Sequence, residues 1–258
     1  MKKKMALLLA AALTMTTILT GCGGGNEENA DKQSDVTAED AKEENASGDS
    51  VSEGGTVFTV GFDAEYPPYG YMDENGEYTG FDLELAQAVC DLEGWELVKK
   101  PINWDSKDME LNSGSIDCIW NGFTMNGRED DYTFSDSYVD NRQVIVVAED
   151  SGIDTLDALA GKVVGVQAAS AALELLQSEE EGGQKALADT FGSLNEFADY
   201  NTAFTELQAG ALDALAIDIG VAKYQIKSRG DGYKIVYETL NTEQYAVAFK
   251  KGNQELCD

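Results

Sequence analysis

The chain has 258 residues, of which 43% are hydrophobic and 9% aromatic, enough to bury the core of one large or two small domains. Its formal net charge of -30 argues against a nucleic-acid partner, because affinity for phosphate backbones depends on basic side chains. The sequence contains no histidine, the commonest general base and metal ligand, and we predict neither a metal site nor a cofactor.

The first 21 residues have the pattern of an export signal. A basic start, Met1–Lys4, precedes an apolar run from Met5 to Leu19 that is too short to span a bilayer as a mature helix. Leu19-Thr20-Gly21-Cys22 resembles a bacterial lipobox, in which Cys22 would be diacylated and become the first mature residue. Since each buried acyl methylene contributes about 0.8 kcal/mol, two chains hold a soluble domain at a membrane. We predict a signal peptide at 1–21 and lipid attachment at Cys22.

Residues 22–55 are predicted to form a disordered acidic tether. They are rich in Gly, Glu, Asp, Ser, Asn and Ala, with only Val36 and Val51 as large aliphatic residues. Such a segment buries too little apolar surface to offset the entropy lost on ordering. Like charges along the tether extend it.

After the tether, strand and helix patterns alternate. Strands are predicted at 57–62, 96–100, 116–120 and 143–147. Helices are predicted from 81 to near Gly94 and in a short stretch ending at 112–114. This alternation is typical of an α/β lobe with a largely parallel sheet.

The pattern then restarts and predicts a second α/β lobe of similar size. Its strands are predicted at 163–166, 214–217, 233–237 and 245–249. Its helices are predicted from Ser170 onward, at 202–209 and at 220–227.

Polar residues follow several of these strands, and ligands of open α/β sheets bind at the carboxyl ends of strands. Arg128, Thr124 and a helix N-terminus at Ser170 suit a carboxylate, whereas Asp218 suits an ammonium. Together they predict a site for a zwitterion. The alternative role for Asp218 is to cap the next helix.

Several motifs in the same order resemble the bacterial extracellular solute-binding proteins of family 3, the amino-acid-binding components of ABC importers. The motifs are Val60-Gly61-Phe62-Asp63-Ala64-Glu65-Tyr66-Pro67-Pro68-Tyr69, Gly80-Phe81-Asp82-Leu83, Gly114-Ser115-Ile116-Asp117 leading to Gly122-Phe123-Thr124, Leu159 to Gln167, and Leu207 to Ala214. The resemblance covers nearly everything from Phe58 to Leu256.

The resemblance implies a periplasmic-binding-protein-like type II fold, with two α/β lobes joined by two hinge strands near 141–144 and 244–246. The expected domains are lobe 1 at 56–142, lobe 2 at 143–244 and a return to lobe 1 at 245–258. The family's final helix is missing after Leu256, so we expect a truncated sequence.

The resemblance also assigns ligand-binding roles by position. Arg128 and Thr124 would hold the ligand's carboxylate together with the backbone of Ser170 and Ala171, and Asp218 would hold its ammonium. The full set of expected ligand-binding residues is Asp63, Tyr66, Trp104, Asn121, Gly122, Thr124, Arg128, Gln167, Ser170, Ala171 and Asp218. One departure is that Thr124 and Arg128 are four positions apart, whereas five is common in the family.

The implied function is capture of a polar or cationic amino acid by hinge closure and delivery to a membrane permease with its ATPase subunit. Cystine, lysine, arginine and glutamine all stay open as ligands. The protein is expected to be an exported monomer, lipid-anchored at the outer face of the cell membrane, and not an enzyme. The alternative is an enzyme resembling cyclohexadienyl dehydratase, for which Glu65 is the candidate acid or base.

Besides Cys22 the chain has three cysteines. Cys90 and Cys118 fit a disulfide as well as they fit small buried hydrophobic residues. Sequence spacing does not choose between these alternatives.

Overall fold

The computed structural model of the protein describes residues 55–258. The predicted signal peptide, the predicted lipid attachment at Cys22 and the predicted tether up to residue 54 lie outside the described residues. No helix within the described range is long and apolar enough to cross a membrane.

The first half of the described chain, together with its C-terminal end, forms a five-stranded sheet, here called the first sheet. Its strands, in chain order, are β1 (Val57–Phe62), β5 (Glu96–Pro101), β6 (Cys118–Ile119), β7 (Tyr132–Phe134) and β14 (Ala248–Lys250), and their spatial order is β5-β1-β6-β14-β7. The strand β1 pairs in parallel with both neighbours, and β14 is antiparallel to β6 and β7. The last strand of the sequence therefore completes the first sheet.

A small antiparallel sheet and four helical segments complete this half. The small sheet contains β2 (Glu65–Tyr66), β3 (Gly70–Met72) and β4 (Tyr78–Thr79). The helices are α1 (Phe81–Glu93), a 3-10 turn at Trp104–Ser106, α2 (Lys107–Ser113) and α7 (Gln254–Cys257). Both α1 and α2 end at a left-handed glycine, Gly94 and Gly114, as their sequences predict.

The second half forms a six-stranded sheet, here called the second sheet. Its strands are β8 (Val139–Ala148), β9 (Val163–Gln167), β10 (Ser193–Phe197), β11 (Ala214–Asp218), β12 (Tyr233–Ile235) and β13 (Asn241–Tyr245), in the order β10-β9-β11-β8-β12 with β13 also paired to β8. Its helices are α3 (Ala171–Gln177), α4 (Lys185–Ala188), α5 (Tyr200–Gln208) and α6 (Ile219–Arg229), with a 3-10 turn at Leu156–Leu159.

The second sheet is covered on both faces. Val144 and Val146 pack in one hydrophobic cluster, and Ile145 and Val147 pack in another on the opposite face. Because side chains alternate along a strand, a run of apolar residues is needed wherever both faces are buried. This accounts for the unbroken apolar stretch in β8.

Cys90 and Cys118 are free thiols, both fully buried in one cluster of the first half. They serve there as small apolar side chains, which is one of the two alternatives that the sequence left open.

The predicted strands that differ most from the structure are those at 116–120 and 245–249. The strand predicted at 116–120 is reduced to Cys118–Ile119, and before its start the Asp117 carboxylate, rather than a backbone carbonyl, accepts the Thr59 N–H at 2.7 Å. The strand predicted at 245–249 is two strands, since the chain leaves the second sheet after Tyr245 and enters the first at Ala248.

The two halves are connected by two neighbouring segments, 135–138 and 246–247. They run side by side, with Tyr138 N donating to Tyr245 O at 2.9 Å and Ser135 N donating to Val247 O at 3.1 Å. The connections between the sheets are therefore themselves hydrogen-bonded to each other.

Candidate functional site

Nine of the eleven predicted ligand-binding residues line one small cavity between the two halves. They are Tyr66, Trp104, Gly122, Thr124, Arg128, Gln167, Ser170, Ala171 and Asp218, and Phe123 completes the lining. The cavity has a volume of about 10 Å³, roughly the room that one water needs. An amino acid enters this site only if the two halves or their side chains move.

The other two predicted residues lie just outside this cavity. Asp63, at the end of β1, lines a larger neighbouring cavity and accepts a hydrogen bond from Gln167 Nε2 at 2.7 Å. Asn121 is buried behind the site, next to Gly70, and its Oδ1 atom has no hydrogen-bond partner within the described part of the chain.

Arg128 is only 6% exposed and offers an unused donor. Its Nε atom donates to Glu174 Oε2 at 3.1 Å and its Nη1 atom to Thr124 O at 3.3 Å. The Nη2 atom forms an ion pair with Glu174 Oε1 at 2.8 Å, and its second N–H has no acceptor among the described residues. A guanidinium with a spare buried N–H suits a carboxylate.

Asp218 ends β11 at the opposite side of the cavity. It precedes α6, but its side chain makes no capping hydrogen bond. Its Oδ1 atom instead accepts from Asn141 Nδ2 and Gln143 Nε2, each at 2.7 Å, and from the Tyr245 hydroxyl at 2.6 Å. The three hydrogen bonds all use Oδ1, and Oδ2 can accept from an ammonium.

The sequence did not single out Asn141, Gln143 and Glu243, which hold Asp218 and Thr124 in place. Gln143 lies opposite Asp218 in the ladder between β8 and β11, and Asn141 lies opposite Glu243 in the ladder between β8 and β13. Asn141 and Gln143 are two positions apart on β8, and residues two apart face the same side of a sheet. This spacing of polar residues is the signal that could have found the two amides.

Thr124 does not offer its hydroxyl proton to the cavity in this arrangement. Its Oγ1 atom donates to Glu243 Oε1 at 2.7 Å. Contact between the Thr124 hydroxyl and a ligand carboxylate would require this hydrogen bond to rearrange.

The loop from Gln167 to Ala171 reaches the cavity from the second sheet. Ser170 Oγ caps α3 by accepting from Leu173 N at 3.2 Å, which agrees with the helix start predicted at Ser170. Ala169 adopts a left-handed conformation with φ 54°, and its carbonyl accepts from Lys107 Nζ at 3.3 Å. Lys107 is 4% exposed, and its pKa is lowered mainly by burial. The loop is thus tied to the first half of the chain.

A second cavity, of about 500 Å³, adjoins the small one and shares Trp104 with it. Its lining includes five carboxylates, from Asp63, Glu65, Asp105, Glu110 and Asp199, and the described residues that line it include no lysine or arginine. Lys100 pairs with Glu110 at 2.8 Å and neutralises one of them. We refer to this space as the acidic cavity.

Asp63 is a charged group at the boundary between the two cavities. Burial raises its pKa to about 6, although hydrogen bonds from Glu65 N and Gln167 Nε2 favour the ionised form. The carboxylate is therefore largely ionised at neutral pH, and it lines the acidic cavity and contacts Gln167 of the small cavity.

The described residues contain no group of three or more His, Cys, Asp or Glu side chains that could hold a metal ion. The site provides a guanidinium at one side and a carboxylate at the other, which suits binding and orientation of a zwitterion.

Comparison with known proteins decides the family. The profile of bacterial extracellular solute-binding proteins, family 3, matches residues 58–258. The chain belongs to this family.

Individual relatives give the same result. The chain is 31% identical to the L-cystine-binding protein TcyJ of Escherichia coli (strain K12), over 80% of this chain and 75% of that protein. It is 32% identical to the arginine-binding extracellular protein ArtP of Bacillus subtilis (strain 168), over 100% of this chain and 89% of that protein. A histidine-bound substrate-binding protein of an ABC uptake transporter from Streptococcus pneumoniae is 34% identical, with a TM-score of 0.72 over 78% of this chain and 82% of that chain.

These matches confirm the family and the type II fold of two α/β lobes predicted from the sequence. The first sheet and its helices form one lobe, and the second sheet and its helices the other; the exact lobe boundaries stay predictions. The matched relatives are binding proteins, so the protein is a solute-binding protein rather than an enzyme, as predicted.

Proposed function

We propose that the protein captures an amino acid between its two lobes and delivers it to an ABC permease driven by an ATPase subunit. The observation that carries this proposal is the pairing across one cavity of Arg128, with a buried N–H that lacks a hydrogen-bond partner among the described residues, and Asp218, whose Oδ2 atom can accept from an ammonium. These two groups suit the carboxylate and the ammonium of an amino acid. The relatives, a cystine-binding and an arginine-binding protein, support the same class.

Within this class, the acidic cavity favours a cationic side chain. A ligand held by Arg128 and Asp218 would extend its side chain past Asp63 and Trp104 into a space lined by carboxylates. The large negative charge of the chain adds to the attraction for cations. Arginine and lysine are therefore the first candidates, with glutamine and cystine as the neutral alternatives.

The remaining parts of the proposal concern the cell. The family is one of extracellular proteins, which agrees with an export signal at 1–21. We propose that a lipid on Cys22 anchors the protein, as a monomer, at the outer face of the cell membrane.

A thermal-shift screen of the protein against all amino acids and cystine tests the function. A ligand at 1,000 times its Kd stabilises the folded state by about 4 kcal/mol, which moves the midpoint by several degrees. We expect the largest shift from L-arginine or L-lysine, and its loss in Arg128→Ala and Asp218→Asn. A folded protein that responds to no amino acid would contradict the proposal.

Asp63→Asn tests the side-chain class separately. Loss of the Asp63 charge should weaken L-arginine binding about tenfold or more, because the cation loses a partly buried partner. Binding of L-glutamine should change much less. Glu96→Gln, an exposed acid on β5, serves as a control for net charge. Equal weakening of both ligands would mean that Asp63 supports the fold of the site rather than its specificity.

A further inference from the structure

A buried acid without an assigned role lies beside the proposed ammonium site. Glu243, on β13, is 6% exposed. Its Oε1 atom accepts three hydrogen bonds, from Thr124 Oγ1 and Asn141 Nδ2 at 2.7 Å and from Gln143 Nε2 at 2.8 Å. The same two amide nitrogens donate to Asp218 Oδ1 at 2.7 Å. Each amide thus uses both of its N–H groups to bridge the two carboxyl groups.

The two carboxyl groups share their donors but no cation. Their bridged oxygens lie within two hydrogen-bond lengths of each other, and two ionised carboxylates so close in a buried site repel strongly. In such pairs one group commonly holds a proton.

The surroundings of Glu243 do not neutralise the pair. The titratable or charged groups around it are Asp218 on β11, Tyr200 on α5, Tyr245 on β13, Arg128 in the loop after β6, and three acids that line the outer cavity with it, Glu174, Glu180 and Glu181. Burial raises the pKa of both tyrosines well above the ordinary value, so they are neutral. Arg128 is the only cation in this group, and it is engaged by Glu174.

Glu243 is the better placed of the two acids to hold the proton. Its Oε2 atom makes no hydrogen bond within the described part of the chain, and the residue lines an outer cavity of about 490 Å³ through which protons can exchange with solvent. Burial, and then the charge of Asp218, raises the pKa of Glu243 above its ordinary value of 4.5.

We propose that Glu243 holds a proton in the unliganded protein and releases it when a ligand ammonium binds to Asp218, so that amino-acid capture is coupled to proton release. The inference rests on the proposed function, because it needs an ammonium at Asp218. The Glu243 O–H bond breaks, the proton passes to water, and the new carboxylate faces the bound cation. The charge of the cluster is unchanged, since one positive charge arrives and one proton leaves.

The coupling between ammonium binding and proton release sets how the affinity for the amino acid changes with pH. Because the bound cation favours ionised Glu243, the affinity for the amino acid should rise with pH between the bound-state and the free-state pKa of Glu243. Linkage to one proton allows about a tenfold fall in Kd per pH unit. Glu243→Gln keeps an acceptor for Thr124 but removes the proton. The affinity of this variant for the amino acid should therefore not rise with pH in this way.

The first test needs no ligand. The unliganded wild type and Glu243→Gln are melted from pH 4.5 to 8, with Glu196→Gln on the exposed part of β10 as a matched control. The folded wild type holds a proton that the unfolded chain loses above pH 4.5, so its melting temperature should fall relative to that of Glu243→Gln as pH rises. Parallel curves would overturn the inference.

The second test measures proton release by isothermal titration calorimetry in buffers of different ionisation enthalpy at pH 5 to 8. The probe is L-arginine, with L-glutamine used if L-arginine does not bind. Asp63 and Asp82 also titrate in this range, but they do so in both proteins, so the difference between wild type and Glu243→Gln isolates Glu243. We expect the wild type to release up to one proton more than the variant, and equal release would overturn the inference.

The two proposals fail in different ways. If the protein binds no amino acid in the thermal-shift screen, the function proposed for the site fails, while the ligand-free melting curves still decide whether Glu243 holds a proton. If a probe binds without extra proton release, only the coupling fails.

Discussion

At the scale of single residues, Asp82 links stability to pH. It is fully buried at the start of α1, where it accepts from Gly122 N at 2.5 Å and from the Tyr138 hydroxyl at 3.0 Å. Burial raises its pKa from 3.8 to about 7, despite these hydrogen bonds. The folded protein therefore favours protonated Asp82, and this contribution to stability is lost as pH rises through about 7.

We predict that Asp82→Asn removes this pH dependence. Between pH 4 and 8 the wild type should lose on the order of 4 kcal/mol of unfolding free energy relative to the variant, because each unit of pKa shift corresponds to about 1.4 kcal/mol. Urea unfolding at several pH values measures the difference. Asp91→Asn, on the exposed side of the same helix, should follow the wild type. A constant difference between wild type and Asp82→Asn would refute the prediction.

At the scale of an element, the loop between β6 and β7 offers a matched pair of glycines. Gly122 has φ 57°, and a Cβ there would lie 2.9 Å from the Tyr245 ring and 3.1 Å from the Tyr66 ring. Gly127 has φ 81°, and a Cβ there would meet nothing within 4 Å. The loop is also held to β13, with Met125 N donating to Gln244 O at 2.9 Å.

We expect Gly127→Ala to cost about 1–2 kcal/mol, which is the ordinary penalty of a left-handed alanine. Gly122→Ala should cost about 1–3 kcal/mol more, because overpacking against the two tyrosines adds to the same backbone penalty. It should also weaken amino-acid binding, since Gly122 and Tyr66 line the small cavity. Urea midpoints at unchanged slope measure the stability effect, and equal losses in the two variants would contradict it.

The same scale shows what sequence reasoning can and cannot reach. The carboxyl ends of β1, β9 and β11 were predictable from apolar runs followed by polar residues, and this placed Asp63, Gln167 and Asp218 near one another. The polar cluster of Asn141, Gln143 and Glu243 was missed, because its members come together only through pairing of β8 with strands far away in sequence. The shortened β6 is accompanied by a side-chain hydrogen bond from Thr59 N to Asp117, which no local pattern predicts.

At the scale of the whole molecule, charged contacts join the lobes next to the site. Arg128 of the first lobe meets Glu174 of the second at 2.8 Å, and the Glu174 side chain remains 54% exposed. A half-exposed ion pair is worth about 0–1 kcal/mol. Glu174 contacts the guanidinium that we assign to the ligand's carboxylate, so the two carboxylates would compete for it.

We predict that Glu174→Gln tightens amino-acid binding about two- to fivefold, which corresponds to the worth of such an exposed pair. Glu180→Gln changes the charge of a nearby acidic residue that lines the same outer cavity and has no ion pair with Arg128, and should leave Kd nearly unchanged. Calorimetric titration with L-arginine measures both variants. Weaker binding in Glu174→Gln would show instead that the pair holds the lobes together around the ligand.

The position of Asn141 and Gln143 on β8 has a consequence for the speed of transport. This strand continues directly from the segment 135–138 that joins the lobes, and its polar side chains hold both Asp218 and Glu243. The backbone that passes between the lobes thus also fixes the groups proposed to meet the ammonium. Substitutions at these two positions should alter the residence time of the amino acid together with its equilibrium affinity, so that slow release to the proposed permease accompanies tight capture.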